Sequence, residues 1–69
     1  MKNYSRTELE SLIDNYVLGL HADRNRKIIK DKLINGFSIR DIASFYHLSE
    51  TRIKTVIRTF KRKIDALEK

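Results

Sequence analysis

Apolar residues along the chain recur at helical spacing in four stretches, and each stretch is bounded by residues that start or stop helices. Leu9, Leu12, Ile13, Tyr16 and Val17 fall at i, i+3, i+4, i+7 and i+8, drawing one stripe down a first helix of about residues 6 to 19. Ser5 and Glu8 are spaced as a capping box, which puts the start of this element at residue 5, and Tyr4 and Leu9 flank it as a hydrophobic staple. A second helix starts near His21 to Asp23, where Asp23 suits the positive end of a helix dipole. Ile28, Ile29, Leu33 and Ile34 give it an inward face, and Gly36 stops it at a left-handed position. Ser38 with Asp41 repeats the cap chemistry, and Ile39, Ile42, Ala43, Phe45 and Tyr46 predict a compact third helix that ends by His47. Ser49 then caps the longest helix, with Glu50 in its first turn and Ile53, Val56, Ile57, Phe60, Ile64 and Leu67 on its apolar side. The pattern predicts an all-α, four-helix architecture in a single domain over residues 1–69. The absence of proline and a total of two glycines agree, since hairpins need more turn residues.

Composition narrows the picture. A chain of 69 residues is near the size at which one hydrophobic core only just offsets the entropy of chain ordering. Without cysteine, neither a disulfide framework nor a thiolate zinc site reinforces that core. Apolar runs extend to two or three residues, as at Tyr16-Val17-Leu18, so no membrane span or signal-peptide core is expected, and the cytoplasm is the expected compartment. Fifteen basic against nine acidic side chains give a net charge of +6, which points to a polyanionic partner without choosing among nucleic acid, anionic lipid and acidic protein.

The third and fourth helices make that choice. They are joined by so short a turn that they must cross at a large angle, the geometry of a DNA-binding helix-turn-helix. Ile42, Tyr46, Leu48, Ile53 and Val56 occupy the inward positions, and Ala43 is the small residue where the two helices approach. The motif covers about residues 38–58, with residues 59–68 extending the recognition helix. The segment SIRDIASFYHLSETRIKTVIRTFKRKI resembles region 4 of bacterial sigma factors and, more loosely, LuxR-type C-terminal domains of response regulators. The resemblance reaches back through LHADRNRKIIKDKLING to Leu20. It implies a helix-turn-helix that binds double-stranded DNA and regulates transcription, in the manner of the small free-standing regulators of phages and mobile elements. The chain has no length for the core-binding and promoter-melting regions of a whole sigma factor. Two positions depart from the family pattern. His47 stands where many helix-turn-helix proteins place Gly or Asn to reach positive φ. Glu50 stands where many sigma factors carry a basic residue, so the family's promoter sequence does not carry over.

With Ile53, Val56, Ile57 and Phe60 turned inward, the exposed N-terminal positions of the fourth helix are the expected base contacts: Glu50, Thr51, Lys54, Thr55 and Arg58. Glu50 can accept from cytosine N4, Lys54 can donate to guanine, and the threonine methyls can meet thymine. Arg40, Ser49, Arg52, Lys61 and Arg62 are the expected phosphate contacts, which position a protein without specifying sequence. Residues 49–69 carry seven basic and three acidic side chains, so +4 of the +6 sits on the recognition helix and its extension.

Other functions have weaker support. His21 and His47 stand apart from any second ligand, so neither metal nor cofactor is expected. Catalysis is not expected either, because there is no nucleophile elbow, phosphate-cradling glycine loop or acidic metal cluster. Tyr4, Tyr16 and Tyr46 read as staple and core residues, and without aromatics among the basic residues RNA is a distant candidate. Phe60, Ile64 and Leu67 continue a heptad-like step from Ile53 and Ile57. These residues either pack within the chain or form a homodimer seam suited to a palindromic site. The competing function is a protein-interaction module, in which a detached region-4-like domain binds RNA polymerase or another host protein as a decoy or inhibitor. Glu50 leans that way, because an acid in the first recognition turn repels phosphate.

Overall fold

The computed structural model describes residues 3–68. Among them are four helices and no strand: α1 (Arg6–Tyr16), α2 (Ala22–Leu33), α3 (Ile39–Tyr46) and α4 (Glu50–Leu67). The caps are those the sequence proposes. Ser5 Oγ accepts from the Glu8 amide at 3.2 Å while Glu8 Oε1 accepts from the Ser5 amide at 3.1 Å, a complete capping box. The Ser5 bonds hold the Glu8 carboxyl below its ordinary pKa. Ser38 and Ser49 each accept an amide bond from three residues on, from Asp41 and Arg52, both at 3.1 Å.

α4 is the spine of the fold, packed against α1, α2 and α3, while α1 and α3 lie on different sides of it and do not touch. The core follows from the stripes: Ile13 of α1, Ile28 and Ile29 of α2, Ile42 and Ala43 of α3, and Ile53, Ile57, Phe60 and Ile64 of α4. It is built almost wholly of isoleucine around one phenylalanine. Among the described residues no polar side chain is buried in it.

Three local expectations change. The first helix ends at Tyr16, three residues short of Gly19, because Val17 leaves the helix in an extended conformation that carries its side chain into the core. Lys63 of α4 completes this end by donating from Nζ to the Tyr16 carbonyl at 3.2 Å, and Gly19 makes the following turn at φ +90°. Gly36 does take positive φ, but it stands two residues beyond the α2 cap at Ile34, after the Asn35 amide has bonded to the Lys30 carbonyl. Phe45 is not a core residue. It is 60% exposed and meets Phe37 edge-on, with ring centroids 5.6 Å apart. Tyr4 packs on the core and its phenol donates to Glu68, fastening the start of the chain to the end of α4.

Candidate nucleic-acid interface

Between α3 and α4 only residues 47–49 intervene. The chain reverses there because His47 adopts the left-handed conformation, φ 55° and ψ 42°, with its amide directed at the Ala43 and Ser44 carbonyls. The Leu48 amide bonds to the Ala43 carbonyl at 3.0 Å, and Ser49 then opens the next helix. Histidine therefore does here what glycine or asparagine does more cheaply, at a cost of roughly 1 kcal/mol. Ala43, buried at this crossing, leaves room for the two backbones to approach. A second tie sets the angle of α3. Tyr46 Oη donates to Asp31 Oδ2 of α2 at 2.8 Å, and burial together with that bond pushes the phenol up to about 12.

α4 presents three strips to the outside. At about 100° per residue, Thr51, Thr55, Arg58 and Arg62 form a ridge opposite the buried side, all of them exposed. Lys54 and Lys61 lie on the flank facing α3. With Arg58 they line a hollow of about 310 Å³ whose other walls are Lys32 at the end of α2 and Ile39 at the start of α3, over Ile57. Arg52 lies on the opposite flank, in a separate groove beside Arg24 and Lys63. The expected contacts thus divide. Thr51, Lys54, Thr55, Arg58, Lys61 and Arg62 share one continuous surface, with Glu50 exposed in the first turn, whereas Arg52 faces away from the Lys54 flank. Arg40, in the first turn of α3, is exposed.

Hydrogen bonds refine what two of these residues can offer. Thr55 donates its hydroxyl proton to the Thr51 carbonyl at 2.9 Å, leaving its methyl and an acceptor lone pair for a partner. Ser49 uses an oxygen lone pair in the cap and keeps its proton free to donate. Ion pairing separates the cations. Arg6, Arg26 and Lys30 are paired with Glu10, Asp23 and Asp14. Among the described residues Lys32, Lys54, Arg58 and Lys61 enter no salt bridge, and neither do Arg24, Lys27, Arg40, Arg52, Arg62 and Lys63, so it is the gathering of the first four around one hollow, not their lack of a partner, that marks the Lys54 flank.

Lys32 is absent from the sequence-derived contacts. It stands 22 residues before Lys54, on a helix read only as a core element, and no one-dimensional spacing connects the two. Of the two readings of the Phe60, Ile64 and Leu67 step, packing within the chain holds for Phe60 and Ile64, which are fully buried in the core, while Leu67 is 53% exposed. Among the described residues no group of three His, Cys, Asp or Glu could hold a metal, and no helix is long and apolar enough to cross a membrane. Comparison with known proteins finds no matching family model, no matching curated protein and no matching solved structure.

Proposed function

We propose that this protein is a sequence-specific double-stranded DNA-binding regulator of transcription in the cytoplasm, acting by occupancy rather than by catalysis. α4 would enter the major groove by its first turns. The observation that carries this reading is the coincidence of two independent features on one surface: the tight α3–α4 turn, and the cations Lys32, Lys54, Arg58 and Lys61 gathered around one hollow beside it. An 18-residue helix is about 27 Å long, and a groove about 12 Å wide admits its first two or three turns. Thr51, Lys54, Thr55 and Arg58 fall within those turns and would read base edges. Lys61, Arg62, Ser49 and Arg40 would hold phosphates, and Lys32 joins them from α2. The resemblance of residues 38–64 to sigma-factor region 4 supports the same assignment, as does the net charge of +6.

Glu50 fits this picture as a discriminating residue. A carboxylate at the head of the recognition helix accepts from cytosine N4 and disfavours bases without a donor there. The test is titration of an enriched duplex with the Lys54→Ala/Arg58→Ala double variant. Affinity should fall by about a hundredfold or more, and unchanged affinity would remove the interface.

A further inference from the structure

The flank of α4 turned away from Lys54 carries a second feature. A groove of about 280 Å³ runs between α4, the end of α1 and the start of α2. Its floor is apolar, from Val17, Ile29, Val56 and Phe60. Its rim holds Leu18 and Leu20 at 65% and 85% exposure, together with the half-exposed Tyr16. Leu18 and Leu20 are displayed by the short link between α1 and α2, and Tyr16 by the last position of α1. Arg24, Arg52 and Lys63 also line the groove, and no aspartate or glutamate does.

We propose that this groove is a protein-docking site for an acidic amphipathic helix. The groove follows α4 from Arg52 to Lys63, about 16 Å or three turns, the length over which a helix sets down apolar anchors at i, i+3 or i+4, and i+7. No strand edge exists among the described residues for an extended peptide to join. The charge of the rim requires acidic residues beside the anchors. A phosphate backbone would satisfy Arg24 and Arg52 but would leave Leu18 and Leu20 in water. A second copy of this chain is a poor occupant because much of its acidic surface is engaged, Glu8 in a capping box, Glu10 with Arg6, Asp14 with Lys30 and Asp31 with Tyr46, and the exposed Glu50 heads a helix whose outer ridge is threonine and arginine rather than apolar. Two chains of net charge +6 also repel. The groove and the Lys54 hollow share no lining residue, and Thr55 of the outer ridge borders the groove, so the proposal is tested without DNA.

The experiment is a titration of the isotope-labelled protein, without DNA, by a synthetic helical peptide with leucines along one face and glutamates elsewhere, followed by amide chemical shifts. Saturable shifts confined to residues 16–25 and to the Arg52–Lys63 flank are expected. Leu20→Glu, at an exposed position, and Arg24→Glu, at a half-buried one, should each weaken binding about tenfold or more while leaving the helical circular dichroism intact. No saturable shift, equal binding of the same peptide with lysine for glutamate, or shifts centred on Lys54 and Lys61 would overturn the proposal. Concentration-dependent broadening of the Leu18 and Leu20 amides in protein alone would overturn it in favour of self-association.

Discussion

Tyr46 and Asp31, on α3 and α2, are joined by a 2.8 Å hydrogen bond from phenol to carboxylate. The same carboxylate accepts from the Asn35 side chain at 3.2 Å through its other oxygen, so one aspartate ties the end of α2 to both the connection and α3. This bond fixes the platform from which α4 projects. Tyr46→Phe keeps the ring and removes the donor, and should lower stability by about 1 kcal/mol, or roughly 4–8 °C in melting temperature for a domain of this size. A melting temperature unchanged within error would show that the bond contributes nothing.

The same contact makes the protein sensitive to alkali. The Tyr46 and Tyr4 phenols are both raised from 10.0 to about 12, the first mainly by burial and the second mainly by its bond to Glu68. A raised folded-state pKa means that the native state holds its proton more tightly than the unfolded chain. The resulting stability is complete below about pH 10 and is lost as pH rises toward 12. Urea titrations across that window should show a falling midpoint, and a Tyr4→Phe/Tyr46→Phe variant should show a shallower fall.

His47 carries a separate prediction. Because a left-handed conformation disfavours a Cβ, His47→Gly should be neutral or should raise stability by up to about 1 kcal/mol. His47→Val should lower it, since a β-branched residue fits that conformation worst. Thermal melts of the two variants decide the matter, and a more stable valine variant would mean that the turn is not held at positive φ.

Lys32 distinguishes the structure's view of the interface from the sequence's. If it holds a phosphate beside Lys54 and Lys61, Lys32→Ala should reduce the slope of log affinity against log salt by about one, with little change in sequence preference. Arg52→Ala should change that slope less, because Arg52 lies on the other flank. The opposite order would place DNA on the wrong side of α4.

Much of the fold was legible because local chemistry and tertiary demand agree. Ser5, Ser38 and Ser49 cap where their spacing says they should, and the isoleucine stripes of α2 and α4 are the buried residues. The failures occur where position in three dimensions overrides the pattern. Val17 satisfies helical periodicity, yet reaches the core only by leaving the helix. Phe45 sits among apolar neighbours in sequence, yet projects from a helix of eight residues whose inward side is filled by Ile42, Ala43 and Tyr46. Phe60 and Ile64 have heptad spacing, but both are buried within the chain's own core. At the candidate site, the exposed side of α4 followed from its wheel. The division of its cations between two flanks did not, because it depends on where α2 and the α1–α2 link come to rest.

The most direct test of the central claim is selection of random duplex DNA by the purified protein at about 150 mM salt, with titration of the enriched site against a scrambled duplex. A defined motif bound on the order of a thousandfold more tightly than the control is the predicted result. Failure to enrich any motif, with weak binding that disappears as salt rises, would contradict it.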